Sequence, residues 1–264
     1  MKTIKIICKH FLRKKRIVIN DFRELFFRAL WLLYPFKQKE AKSKLVWISQ
    51  YYNSGDQERQ AEIDETMLAN TRQPWVEKIV LFTNTESPSL VGEKIEIIKI
   101  TERLHFREIL VYISRQKRDC ENVYCITNSD IILTDDIIKI VPRILQKQLI
   151  ALTRWEIGKR FSYEFLPEIT QDTWIIRDAD FSDVAKLMDC IPLGIPGCDN
   201  RFSRIMHDAG FIIWNPCLNV KTFHNHRSGW RSYTIDSRVQ GDYFFPLECS
   251  KEQFFLQIKR RFTH

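Results

Sequence analysis

The sequence predicts an α/β protein with a mostly parallel central sheet and helices on both faces. Short apolar runs of strand length recur between residues 45 and 153. Segments with helical spacing alternate with them, an order that builds a parallel sheet covered on both sides. The composition, 44% hydrophobic and 28% charged over 264 residues, is that of a globular chain long enough to bury a core.

Leu45–Ser49 is the first buried strand, and Gln57–Asn70, with Ala61, Ile63, Met67 and Leu68 near helical spacing, is a helix. Val76–Thr83 and Ile95–Ile100 are the second and third strands, followed by a helix over Phe106–Lys117. Val123–Thr127 is the fourth strand and ends in Asn128-Ser129-Asp130. A helix over Ile137–Gln146 and a fifth strand, Leu149–Thr153, complete the first half. In the second half, Thr173–Ile176 reads as a strand, Ile195-Pro-Gly197 as a turn, and Asp199–Ala209 as a helix stopped by Gly210. Phe211–Trp214 and Leu218–Phe223 are short strands, followed by His224-Asn-His226. Neither G-x-G-x-x-G nor a P-loop motif is present, so the usual dinucleotide and P-loop sites are unsupported.

The net charge of +8 is concentrated at one end. Residues 1–44 hold 13 Lys/Arg and 3 Asp/Glu (+10), leaving 28 and 30 (−2) for the rest. A nucleic-acid partner therefore finds no support in the domain itself. Ile17–Phe36 has an apolar helical stripe broken by Asp21, Arg23, Glu24 and Arg28. About 20 uninterrupted apolar residues are needed to span a bilayer, and signal-cleavage chemistry is missing, so the expectation is a helix in the interface or docked on the domain. An anionic membrane surface is the partner expected for residues 1–40. Seven cysteines without a C-x-x-C pair read as free thiols in a reducing compartment.

Four constellations could carry chemistry. Asp130, beyond a buried strand, would face the ligand crevice and could hold a divalent cation on a diphosphate; the same three residues also suit a plain turn. Asp199, near the start of a helix, could be a general base or a cap. His224 and His226 in an H-x-H would share one face and could bind metal, or metal and phosphate, with Arg227, Arg231 and Tyr233 following as a cationic, hydrogen-bonding loop suited to phosphate. Asp172 with Trp174 could meet the edge and the face of a sugar ring.

The order of these features resembles the GT-A class of glycosyltransferases. Gly197-Cys-Asp-Asn-Arg-Phe-Ser-Arg-Ile-Met-His-Asp-Ala-Gly-Phe211 is similar to the family's helix that opens with an acidic pair and closes with Ala-Gly-aromatic. Asp199 precedes Gly210 by 11 residues. Asn128-Ser129-Asp130 stands in the place of the D-x-D motif, and Asn215-Pro216 before His224 resembles the strand that delivers a metal-binding histidine. Ser49–Asn84 resembles the opening strand, helix and second strand that carry the nucleotide base. The resemblance covers about residues 45–230, with two departures: Asn128 replaces the first D-x-D acid, and Cys198 the first acid of the helix pair.

The resemblance implies a Rossmann-like sheet of GT-A type, a nucleotide-sugar donor, Mn²⁺ or Mg²⁺, and a carbohydrate or lipid-linked acceptor. It implies Asp199 as catalytic base and Asp130 with His224 or His226 as metal ligands. Arg227 or Arg231 would clamp phosphate, Asp172 and Trp174 would shape the sugar or acceptor pocket, and Arg107, Asn128 and Arg154 would contact the donor. The expected division is a basic extension, 1–44; a catalytic domain, 45–235, with a nucleotide-binding half (45–153) and an acceptor and metal half (154–235); and a tail, 236–264. The expectation is a cytoplasmic glycosyltransferase, peripheral on the inner face of a membrane, in surface polysaccharide or glycoconjugate assembly. The alternatives are a metal-dependent hydrolase or nucleotidyltransferase, and a non-enzymatic membrane-surface adaptor.

Overall fold

The computed structural model describes residues 43–85, 92–116, 122–157, 170–188 and 191–250. The basic segment through residue 42, with its expected interfacial helix, and residues 251–264 lie outside the described residues. Among the described residues no helix is long and apolar enough to cross a membrane.

A seven-stranded sheet forms the centre, in the order β3-β2-β1-β4-β8-β6-β9. Its strands are β1 (Lys44–Tyr51), β2 (Val76–Thr83), β3 (Ile95–Lys99), β4 (Asn122–Thr127), β6 (Gln148–Thr153), β8 (Gln171–Arg177) and β9 (Ile212–Trp214). All run parallel except β8, which lies antiparallel between β4 and β6. The reversal puts the first residues of β8 at the edge where its neighbours end.

The pleat divides the side chains into two apolar layers. Helices α2 (Phe106–Arg115), α3 (Ser182–Lys186) and α4 (Cys198–Asp208) cover Val46, Ile48, Tyr124, Ile126, Trp174 and Ile176 on one face. On the other, Ile63 and Met67 of α1 (Gln57–Thr71) pack with Ile137, Ile140, Val141 and Ile144 over Trp47, Ile79, Cys125 and Ile175.

The buried face of α1 is unusual in being half polar: Arg59, Glu62, Thr66 and Asn70 lie beside Ile63 and Met67. Each of the four hooks onto a later segment of the chain, at residues 130–133 or 225–228. Asn70 bonds the Ile131 carbonyl at 2.8 Å and the Leu133 N–H at 2.9 Å, and the Asn225 amide reaches the Thr66 hydroxyl at 3.3 Å. Arg59 and Glu62 belong to the site described below.

Three expected elements differ. The helix over 137–146 is instead two 3₁₀ turns, Ile137–Lys139 and Val141–Arg143. Pro142 lacks the N–H an α-helix needs and clashes with the preceding turn, although the apolar spacing still buries Ile137, Ile140 and Ile144. The strand expected over 218–223 is only Thr222–His224 (β10), because the Pro216 carbonyl accepts from Asn219 and Val220 and the chain turns there. The tail expected from 236 packs through residue 250: N–H groups of Val239, Phe244 and Cys249 donate to Pro196, Asn200 and Asn215 carbonyls. The four described cysteines, Cys125, Cys198, Cys217 and Cys249, form no disulfide.

Candidate active site

A second, three-stranded sheet sits at the carboxyl ends of the parallel strands and builds the site. Its order is β5 (Ile131–Leu133), β10, β7 (Trp155–Glu156). The first follows β4 directly and the last follows β6, so both continue the main sheet into the ligand edge. Pairing sets His224 opposite both Ile131 and Glu156. Asp130, Glu156 and His224 therefore meet because two backbone ladders bring them there.

Asp130 Oδ2 is the hub. Arg59 Nη2 donates to it at 2.6 Å, His224 Nε2 lies at 3.3 Å and His226 Nδ1 at 3.8 Å. Burial alone would raise the Asp130 pKa, but the hydrogen bond and charge of His224, then Arg59, hold the carboxyl well below the usual range. Burial would likewise lower His224, yet Asp130 on one nitrogen and Glu156 at 3.1 Å on the other push it up to about 9. Glu156 is correspondingly drawn down to about 2, against its own desolvation. His226 goes the other way, lowered by burial and by Arg59, and its buried Nε2 has no hydrogen-bond partner.

One donor atom each from Asp130, His224 and His226 falls within 4.8 Å of the others. That set, with the orphaned His226 nitrogen, fits a divalent cation. A carboxylate behind a ligating imidazole, as Glu156 stands behind His224, is the usual outer support of such a ligand. A cation would displace the His224 proton and compete with Arg59 for Asp130.

Glu62 ties down the loop beyond His226. Its carboxylate accepts from the Arg227 N–H, from the Ser228 N–H at 2.6 Å and hydroxyl at 3.2 Å, and from Arg59 Nη1 at 2.9 Å.

The opposite wall is built by β8 and α4. Asp172 enters as the second residue of the reversed strand; it accepts from Asn128 Nδ2 and from Arg154 Nη1, both at 2.5 Å. Arg154 also reaches Glu156 at 3.1 Å, linking the Asp172 wall to the histidines. Asp199 lies in the first turn of α4 and is 7% exposed. Desolvation is the main cause that pushes its carboxyl up to about 7, with the Asp172 charge adding to it and the Asn200 and Gln171 backbone N–H groups opposing it. Gly197 opens this helix at φ 80°. A Cβ there would stand 3.0 Å from the Tyr243 hydroxyl and 3.3 Å from Arg238 Cγ, so glycine lets the C-terminal segment close over the helix.

Between the walls lies a cavity of about 390 Å³, within the range of small-molecule sites. Asn128, Asp130, Arg154, Asp172, Asp199, His224, His226 and Arg231 all line it. Three expected residues do not. Trp174 shares the pleat face of Asp172 but lies two residues deeper, fully buried edge-on to Phe106 at 4.9 Å, so it is core. Arg107 is on the exposed face of α2, outside the cavity. Arg227 turns outward to Glu65 at 2.6 Å.

Arg59, Glu62, Glu156, Arg103 and Arg238 were not expected here. Only the i, i+3 spacing of Arg59 and Glu62, just after a strand's carboxyl end, was a signal in the sequence. Arg238 fell in the presumed tail.

No protein-family model matches the sequence, and no curated protein matches it. The structure of GalNAc-T7 with UDP, GalNAc and Mn²⁺ aligns over 82% of this chain and 48% of that one, at a TM-score of 0.51 and 9% identity. The fold is GT-A-like. The chain spans about half the length of that GalNAc-T7 structure. Two looser likenesses are the Pyrobaculum calidifontis mannosyltransferase with GDP-Man and Mn²⁺ (TM-score 0.46, 12% identity, 78% of this chain and 65% of that one) and a Francisella tularensis 2-C-methyl-D-erythritol 4-phosphate cytidylyltransferase (0.40, 14%, 55% and 77%). At 9% identity the GT-A-like fold is what the likeness to the GalNAc-T7 structure establishes.

Proposed function

We propose that this protein is a glycosyltransferase that moves a sugar from a nucleotide-sugar donor to an acceptor hydroxyl by direct displacement with inversion. One observation carries the reading: a metal-capable group (Asp130, His224, His226) and a buried carboxyl held near neutrality (Asp199) face one cavity at the carboxyl ends of a GT-A-like sheet. Mixed nitrogen and oxygen donors suit Mn²⁺ better than Mg²⁺, which prefers oxygen alone.

When bound, that cation would supply positive charge for the leaving diphosphate. Arg231, on the cavity wall beyond the anchored loop, adds a further positive charge for the diphosphate. The Asp199 carboxylate takes the proton of the acceptor hydroxyl as its oxygen attacks the sugar's anomeric carbon and the bond to diphosphate breaks. A base with a pKa of about 7 is well matched to work near neutral pH. Asp172, gripped by Asn128 and Arg154, borders the space for the transferred sugar. Residues 1–40 would hold the enzyme at an anionic membrane surface, near a lipid-linked acceptor used in glycoconjugate assembly.

Thermal unfolding with UDP, GDP, CMP and dTDP, each with and without Mn²⁺, tests the donor side. A ligand at about 100 times its Kd stabilises by about 2.7 kcal/mol, a rise on the order of 5–10 °C for a chain of this size. One nucleotide should shift the midpoint only with Mn²⁺; the absence of any shift would reject the reading. The base assignment has its own test in the pH profile of kcat/KM. Asp172→Asn removes a negative charge that raises Asp199, so the acidic limb should move to lower pH. An unmoved limb would mean that another group titrates.

A further inference from the structure

Five arginines line the cavity, and they are not equally committed. Arg59 is paired with Asp130 and Glu62, and Arg154 with Asp172 and Glu156. The other three contact only uncharged groups among the described residues. Arg103 donates to the Leu193 carbonyl at 3.1 Å and to the Ser232 hydroxyl at 2.6 Å. Arg231 donates to the Tyr233 hydroxyl, and Arg238 donates to the Tyr243 hydroxyl at 3.2 Å and stacks over its ring at 5.2 Å.

Positive charge without a counter-charge on a concave, partly desolvated wall calls for an anionic ligand. On the functional reading above, the two charges of the donor diphosphate are met by the divalent cation, and Arg231 is assigned to the same diphosphate. Arg103 and Arg238 then remain, and both stand at the loop that leads into α4 and Asp199. Arg103 Nη1 is 3.7 Å from where a Cβ on Gly194 would sit; Arg238 Nε is 3.4 Å from the corresponding point on Gly197. The two guanidinium groups thus flank residues 194–197, immediately before the proposed base. Their bonds to carbonyl and hydroxyl oxygens orient them without neutralising them.

We infer that the acceptor is itself anionic, carrying a phosphate or carboxylate group that Arg103 and Arg238 hold on the Asp199 side of the cavity. This rests on the transferase reading, since it assigns the donor charges first. A planar fork of N–H donors grips either oxyanion in a bidentate way, and fixing the anion fixes the acceptor hydroxyl relative to Asp199.

The test uses the full chain saturated with Mn²⁺ and the nucleotide that shifts its unfolding, at constant ionic strength. Calorimetric titration with glycerol 3-phosphate, glucuronate and glucose then separates the sources. One of the two anions should bind at least about tenfold more tightly than neutral glucose, and which one identifies phosphate or carboxylate. Arg238→Gln, which leaves the Arg103 contacts intact, should lose that binding by about tenfold or more while keeping the nucleotide–Mn²⁺ shift. Arg238→Lys, retaining the charge, should recover part of it. Equal binding of all three probes would overturn the inference while the donor reading stood. Loss of the nucleotide shift in Arg238→Gln would also overturn it, because the arginine would then serve the donor. A wild-type protein with no nucleotide shift would remove the transferase reading and this inference with it.

Discussion

Asp199→Asn should abolish transfer, leave nucleotide and Mn²⁺ binding intact, and make the protein more stable at alkaline pH. The carboxyl titrates near 7 when folded, against the ordinary 3.8, because burial disfavours its charge. A pKa raised on folding means that the native state holds the proton more tightly. Its contribution to stability is therefore fully present below about pH 4 and is lost as pH rises through 7. Above that, the buried charge costs up to about 4 kcal/mol relative to a neutral side chain. Asparagine keeps an oxygen for the Asn200 and Gln171 N–H groups and removes the charge. The melting temperature should rise by on the order of 10 °C at pH 8 and by little at pH 4. Melting curves of both proteins at the two pH values, beside a transfer assay, check this. Equal melting temperatures at pH 8 would show that Asp199 is solvated, and retained activity would remove it as base.

Asp130→Asn should have the opposite effect on stability. The Asp130 carboxylate is the counter-charge of a guanidinium at 2.6 Å and an imidazole at 3.3 Å, and both partners are buried. Removing one member of a buried ion group leaves the others uncompensated, typically at about 3–5 kcal/mol. Arg59 keeps Glu62 and His224 keeps Glu156, which places the loss toward the lower end of that range. Denaturant unfolding without metal should read that loss, and the Mn²⁺-dependent nucleotide shift should vanish as well. A variant as stable as wild type would mean that Asp130 does not compensate Arg59 and His224; a surviving Mn²⁺ shift would place the cation elsewhere.

The inner strands of the sheet were legible because they are buried on both faces and carry continuous apolar runs, as in Ile79–Phe82 and Leu149–Leu152. The direction of β8 was not, since a parallel and an antiparallel strand in such a sheet have the same composition. That direction is what lets Asp172 enter the cavity while Trp174, on the same face, is carried about 7 Å deeper beneath Phe106. The aspartates and histidines could be picked out because few structural roles compete for such residues beside buried strands. Arginines were sorted only in part. Arg154 and Arg231 do line the cavity, but Arg107, expected at the donor, lies outside it, while Arg59 and Arg103, which look like solvated charge in the sequence, meet Asp130 and face the cavity.

The half-polar face of α1 bears on how precisely the site can be assembled. Apolar layers tolerate small slips, because one methyl group substitutes for another at little cost. The hooks at Arg59, Glu62, Thr66 and Asn70 do not, since each needs a particular atom at hydrogen-bond distance. Rotating the helix by one residue, about 100°, would break all of them together and bury their polar groups unsatisfied. The first helix therefore works as a gauge: it seats against β5, the strand paired with that of His224, in one register only. Misassembled arrangements of the cation site are rejected by the same bonds that hold the correct one.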